Sequence, residues 1–379
     1  MTASIRQNYA SIRQKSDVQG LRLAKYPYLC ISKISQDMNE VALSGFLSGF
    51  ATAYFTLYAY QLFRLKGAVR LQRVLACIFV QWAVFNLKDF LLTLPDYHDP
   101  TTQNVIVLID GTSLIGYTLF IYELIRPGWA TWRKASQMLA AYAPFFLTFT
   151  LWPGSLFIRC YIACLLIAGS AIFLVWLRDA RRYARYIRDN YSSLEGIDIS
   201  WLRVVAWFFV GCQLLWVVIS VVRHPLTDCL YYVLSIVLWQ ATLDHVLHQQ
   251  PVVMEPKEQE KPPTAREYSF AKSLPTQIET EELYLNPTLS VKELAAHLGT
   301  NRTYLSDYFV HNLNTTFYDY INSLRIEKKS IPLLNEFPNY TLERIAAESG
   351  FQSVSTFRRA FVKQKGVTPS EYRKQMQNK

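Results

Sequence analysis

The sequence predicts an all-α chain in two unlike parts. The first is a polytopic transmembrane helix bundle of about seven spans. The second is a soluble unit of two tandem helix-turn-helix pairs. Three observations carry that expectation. Apolar runs of span length fill residues 41–251. Basic residues crowd every second connection between those runs. After residue 275 a helix, glycine, helix pattern occurs twice, with matching inward positions 52 residues apart.

The composition is itself split. Hydrophobic residues make up 51% of the 379 residues and charged residues only 18%, low for a water-soluble protein. Residues 252–379, however, hold 17 Lys+Arg and 15 Asp+Glu, an ordinary soluble balance. The net charge of +10 divides as +3 over 1–40, +5 over 41–251 and +2 over 252–379, so no segment is a basic tail. From Thr288 onward the balance is 13 basic to 8 acidic, which permits a nucleic-acid partner. The six cysteines are scattered, none lies in the C-terminal part, and no CxxC pair occurs. Neither a disulfide framework nor a zinc site is expected, and no cofactor is implied.

Spans are expected at 41–63, 71–94, 103–125, 135–152, 155–177, 201–222 and 228–247, each long enough for about 30 Å of hydrocarbon at about 1.5 Å per residue. The fourth is the weakest, being short and holding Pro144; without it the count is six. Arg64, Lys66, Arg70 and Arg73 fill the first connection, and Arg126, Arg133 and Lys134 the third. The fifth holds Arg178, Arg181, Arg182, Arg185 and Arg188. The alternating connections carry only Arg223. Basic loops stay on the cytoplasmic side, so seven spans place the N-terminus outside and the C-terminus inside.

Residues 1–40 run against this, with Arg6, Arg13, Lys15, Arg22, Lys25 and Lys33 on the outer side. Translation starting at Met38 would remove the conflict. The segment lacks the apolar stretch of a signal peptide. The expected division is therefore a tail at 1–40, a transmembrane domain at 41–248, a Pro-rich charged linker at 249–275 and a soluble domain at 276–379.

In the soluble part, Ser290 with Glu293 three places on forms a capping-box pattern. Val291, Leu294, Ala295 and Leu298 share one helix face, and Gly299 suits the turn that follows. A second helix places Leu305 and Phe309 inward. The design repeats with Leu342, Ile345, Ala346, Gly350, Phe357 and Phe361. A connecting helix is expected over 317–335, and Thr368-Pro369 starts a short last helix. His297 and His311 read as helix-surface residues.

The stretch GFQSVSTFRRAFVKQKGVTPSEYR, residues 350–373, and the stretch YINSLRIEK in the connecting helix resemble the AraC/XylS family of bacterial transcription regulators, over roughly 276–376. Pro332 and Lys329 depart from the family pattern, the first by standing inside the connecting helix, the second by replacing a small apolar residue. The resemblance implies that each second helix enters a major groove of promoter DNA. The positions that would reach base edges are Arg302, Thr303, Ser306 and Asp307 in the first unit and Ser353, Val354, Ser355, Arg358 and Arg359 in the second. Lys363 and Lys365 are placed for phosphate.

Polar side chains inside the apolar runs are Asn86, Lys88, Asp89, Asp110, Glu123, Arg159, Gln213, Gln240 and Asp244. Lys88 and Asp110 form a candidate intramembrane pair or ligand pocket. Glu123, Arg159 and Asp244 lie near span ends, where long side chains reach the interface. Gly45 and Gly49 form a GxxxG that serves either internal packing or a homodimer seam. No catalytic motif is present: there is no metal-spaced His pair, GxSxG or P-loop. The sequence thus reads as a regulator in the bacterial inner membrane, its C-terminal domain in the cytoplasm and its signal ligand unnamed. Two rivals are a plain anchor on a constitutive DNA-binding domain, and a transporter or intramembrane enzyme with a regulatory tail.

Overall fold

The computed structural model describes residues 27–93, 99–255 and 268–377. The 1–26 part of the N-terminal tail, and 256–267 of the expected linker, lie outside the described residues. Among the described residues the regular structure is helical, with a single isolated bridge and no strand.

The apolar part comprises α1 (Pro27–Arg64), α2 (Arg70–Thr93), α3 (Pro100–Asp110), α4 (Ser113–Ile125), α5 (Trp132–Ala140), α6 (Ala143–Leu151), α7 (Ser155–Asn190), α8 (Ser200–Val222) and α9 (Pro225–His248). Six segments are long and apolar enough to cross a membrane: 38–64, 70–92, 100–125, 155–190, 200–222 and 225–248. The expected span at 135–152 is not among them. It forms two nine-residue helices, α5 and α6, because Pro144 in the first turn of α6 cannot extend the hydrogen-bond ladder of α5.

Aromatic packing fills the middle of the bundle. Phe55, Phe79, Phe120 and Trp239 are fully buried and meet edge to face at 5.4–5.8 Å. Ser44, Gly45 and Ser48 face inward, and Gly49 packs on Phe90 of α2, so the GxxxG serves a contact within the chain. The outer surface is equally apolar. Phe46, Ile167 and Val221 are each about 70% exposed, on three different helices. Contiguous apolar surface of this extent is unfavourable in water and ordinary against lipid.

The segment 100–125 is bent where α3 gives way to α4. Carbonyls freed at such a break and buried in the bundle must find side-chain donors. Tyr161 donates its hydroxyl to the Leu108 carbonyl at 2.8 Å and Tyr142 donates to that of Gly111 at 2.9 Å. Gln81 reaches the Thr112 carbonyl at 3.3 Å. Gly111 is required for this close approach, since a Cβ there would lie 2.1 Å from the Tyr161 oxygen.

Glu123, expected to reach the interface, is instead 2% exposed. Its carboxylate accepts from Arg70 at 3.0 Å and from the backbone N–H groups of Gly128 and Ala130 at 2.8 and 2.7 Å. It is buried because the turn after α4 folds back over it with two backbone donors and Arg70 of α2 supplies the third.

The second part comprises α10 (Leu274–Thr280), α11 (Val291–His297), α12 (Arg302–His311), α13 (Phe317–Leu324), a π-helical stretch (Arg325–Ser330), α14 (Ile331–Glu336), α15 (Leu342–Glu348), α16 (Val354–Lys365) and α17 (Pro369–Gln377). Two cores form. Phe270, Leu274 and Ile278 pack with Leu294, Leu305, Phe309 and Ile321. Ile326 and Leu333 pack with Ile345, Phe357 and Phe361. The helix over 317–336 therefore feeds both. Phe270 and Leu274 fall in the stretch read as linker; the surrounding prolines and charges mask two apolar side chains that the first core takes up.

The connecting helix continues past Pro332 rather than breaking. The Ile331 N–H donates five residues back, to Ile326, and Ser330 donates its hydroxyl to the Arg325 carbonyl at 3.0 Å. The wide turn absorbs one residue ahead of the proline, relieving the clash its ring makes with the preceding turn. The same shift turns Ser330 inward, fully buried, and leaves Lys329 beside Glu282 at 3.7 Å. Both departures from the expected pattern thus have one cause.

We expect Gly111→Ala to destabilise the bundle by about 1–3 kcal/mol, because Tyr161 must give way and release the Leu108 carbonyl. Thermal unfolding of the detergent-solubilised full chain measures this, and Gly154→Ala, where only the Trp152 ring lies within van der Waals range, is the control.

Candidate nucleic-acid interface

Each helix pair is built from local rules. In the first, Ser290 and Glu293 form a reciprocal capping box at 3.2 and 2.9 Å. Gly299 adopts φ +65°, and the Thr300 N–H returns to the Ala295 carbonyl at 2.9 Å. Asn301 then caps α12, accepting from the Tyr304 N–H at 2.8 Å. In the second, Thr341 caps α15, Gly350 adopts φ +81°, and the Phe351 N–H returns to Ala346 at 2.9 Å. Ser353 caps α16. Leu305, Phe309, Phe357 and Phe361 are all fully buried, so the inward positions read from spacing are the core of both pairs.

The candidate reading positions differ between the two units. In the second, Ser355, Arg358 and Arg359 are exposed, and Ser353 and Val354 half-buried, at the head of α16. Lys363 is exposed and pairs with Asp319 at 2.6 Å; Lys365 is half-buried and pairs with Glu327 at 2.6 Å. Both ammonium groups are therefore shared with carboxylates of the connecting helix, and a phosphate would have to compete for them.

In the first unit Arg302, Thr303, Ser306 and Asp307 are all half-buried. Arg302 reaches back to the apolar part. It donates to Asn190 Oδ1 at 3.2 Å and to the Glu255 carbonyl at 3.4 Å, lies 3.5 Å from the Glu255 carboxylate, and covers the Tyr186 ring at 5.7 Å. A hydrogen bond from Lys292 holds the Glu255 carboxyl below its usual range, with Arg302 adding to the effect.

The residue that organises this region was not singled out by sequence reasoning. Arg325 is 1% exposed, and all five of its N–H donors are used. Nε donates to the Tyr284 carbonyl at 2.7 Å. Nη1 donates to the Ser192 carbonyl at 3.2 Å and to Asn322 Oδ1 at 3.0 Å. Nη2 donates to Ser192 Oγ at 3.2 Å and to the Asn286 carbonyl at 2.7 Å. The Phe351 ring lies beneath the guanidinium at 5.5 Å. Burial pushes Arg325 down to about 10, still far above neutrality, so the charge persists. The available signal was an arginine continuing the inward stripe Phe317, Ile321, Arg325.

Ser192 belongs to the turn after α7. Its neighbours dock too: Tyr191 bridges Ser290, the Ser192 N–H donates to the Leu289 carbonyl at 3.0 Å, and Ser193 donates to Gln352 at 2.7 Å. Three consecutive residues from the apolar part thus touch the first unit, the connecting helix and the second unit.

Within the bundle, Lys88 lies 3.1 Å from Asp110 and also pairs with Asp89, which accepts from Tyr232 at 3.3 Å. The adjoining cavity is only about 50 Å³, room for a water or two. Among the described residues no group of three His, Cys, Asp or Glu is arranged to hold a metal ion.

Comparison with known proteins agrees with this geometry. Residues 294–375 match the helix-turn-helix domain family HTH_18, so the C-terminal part contains an AraC-type helix-turn-helix domain. An uncharacterized HTH-type transcriptional regulator of Staphylococcus aureus (strain COL) is 33% identical over 92 residues, covering 24% of this chain and 12% of the relative. The Msm operon regulatory protein of Streptococcus mutans is 31% identical over 91 residues, covering 24% of this chain and 32% of the relative. The chain therefore spans a small fraction of the relatives it matches. No solved structure matches it.

Arg325→Lys should destabilise the C-terminal part by about 3–5 kcal/mol, since one ammonium cannot serve five acceptors and leaves buried carbonyls unpaired. Urea unfolding of the full chain, followed by the loss of helical signal from 268–377, measures it. A change below about 0.5 kcal/mol would show that those acceptors find other donors.

Proposed function

We propose that this chain is a membrane-embedded, sequence-specific DNA-binding transcription regulator. One observation carries the reading: two tandem helix-turn-helix units, the second presenting Arg358 and Arg359 exposed at the head of α16, are joined to a bundle whose outer surface is apolar. On this reading α12 and α16 enter successive major grooves of promoter DNA, Arg358 or Arg359 pairs with guanine, and Lys363 and Lys365 exchange their carboxylates for phosphate. The relatives' names describe regulators, which supports a non-enzymatic role.

The direction of the helices supports seven crossings. Leu108 is level with Tyr161, Ile121 with Trp176 and Arg126 with Asp179, so α3–α4 and α7 run the same way. The chain between residues 126 and 154 must then return across the bilayer, and α5 with α6 is the segment available. Tyr142 meeting Gly111 supports this. With the basic loops inside, the DNA-binding part lies in the cytoplasm of a bacterium, at the inner membrane. We assign 41–248 to the membrane domain and 268–377 to the DNA-binding domain, whose first core begins at Phe270.

The membrane part is more than an anchor on this reading. At about 1.5 Å per residue the 36 residues of α7 extend about 54 Å, well past the hydrocarbon. Its end inserts Tyr191 to Ser193 between the two units and holds Arg302 away from DNA. A shift of α7 then alters the first reading head directly.

Arg358→Ala with Arg359→Ala should weaken operator binding about 10- to 100-fold without releasing the protein from carbonate-washed membranes. Deleting 1–251 should change promoter output in a reporter strain. Unchanged output would favour the plain anchor, and recovery of the full-length chain in the cytosol would refute membrane embedding.

A further inference from the structure

Helices α7 and α8 are consecutive in the chain, yet they make few contacts along their lengths. A groove opens between them. At the level of the spans its walls are Phe173, Trp176, Ala206 and Trp207, which line two adjoining cavities of about 310 and 550 Å³. The larger one continues to the cytoplasmic ends of the helices, where Arg181, Arg185, Arg188 and Arg203 line it. The first three stand at i, i+4 and i+7 and so share one face of α7.

The state of these arginines is unusual for the molecule. Elsewhere on the same level, Arg126 and Arg182 lie 2.8 and 3.9 Å from Asp179, and Arg70 lies 3.0 Å from Glu123. Among the described residues, none of the four groove arginines has a carboxylate partner. The one carboxylate lining the cavity, Asp198, accepts from the N–H and hydroxyl of Ser200 and caps the start of α8. The groove is thus apolar and aromatic at membrane depth and strongly cationic at the cytoplasmic rim.

We infer that this groove binds an anionic phospholipid of the cytoplasmic leaflet. Its phosphate takes the guanidinium forks, which match phosphate oxygens two at a time, and an acyl chain lies along Phe173 and Trp207. A free anion would use the rim alone and leave the apolar floor uncovered, so the shape selects a ligand with both ends. The inference rests on membrane embedding.

The test uses full-length protein purified in detergent from washed membranes, offered equal amounts of phosphatidylglycerol and phosphatidylcholine and read by native mass spectrometry. Retained adducts should favour phosphatidylglycerol. Arg185→Gln with Arg203→Gln should cut that preference roughly fivefold per arginine. Arg185→Lys with Arg203→Lys should keep most of it, and Arg133→Gln, outside the groove, should keep all of it. Equal retention of the two lipids overturns the inference, as does a preference that survives the Gln pair or is lost equally in the Lys pair. Displacement of the lipid by an equal concentration of water-soluble glycerol phosphate also overturns it, showing a headgroup-only site. A membrane-retained chain without lipid preference refutes this site alone, whereas a cytosolic full-length chain refutes the embedding as well.

Discussion

The C-terminal half is organised around one buried positive charge. A guanidinium taken out of water is costly unless every donor is satisfied, and Arg325 meets that condition with acceptors from three separate segments. No subset of those segments can supply all five bonds. The first helix pair, the connecting helix and the turn after α7 are therefore held in one arrangement by the geometry of a planar fork. Phe351 beneath it extends the constraint to the second pair. Hydrophobic burial stabilises each unit separately; the arginine fixes how they stand to one another.

Much of this was legible in the sequence because it follows from short-range rules. Capping at Ser290, the turn glycines 299 and 350, and the inward pairs Leu305/Phe309 and Phe357/Phe361 depend only on neighbours within a turn or two of helix. The structure places all of them as the spacing requires. The Lys88–Asp110 pair was also legible, since two unmatched charges in adjacent apolar runs have few other partners. What spacing could not give was anything set by distant segments. Arg325 continues an inward helix stripe, but its partners are known only once Ser192 and Asn286 are brought to it. Glu123 sits near a span end and reads as an interface residue, but the turn at 126–131 closes over it. The roles of Arg302 and Arg358 toward DNA rest on the helix-turn-helix resemblance rather than on any contact within the chain.

The bundle satisfies its own buried polar groups in a similar way. Where the helix breaks at Gly111, the hydroxyls of Tyr142 and Tyr161 reach the freed carbonyls of Gly111 and Leu108. The aromatic richness of the sequence is partly explained by this. Phenol rings supply apolar bulk to the core and a donor at its polar faults. The same economy leaves α7 free to continue beyond the bundle as a single rigid rod into the DNA-binding part.

The π turn at Arg325–Ser330 has a consequence for how the two helix pairs are oriented. One residue of α-helix corresponds to a rotation of about 100°. By absorbing a residue ahead of Pro332, the wide turn sets the angular phase of everything downstream relative to α12. The second reading helix is carried on that downstream portion. The phase between α12 and α16 is thus written into six residues that belong to neither helix.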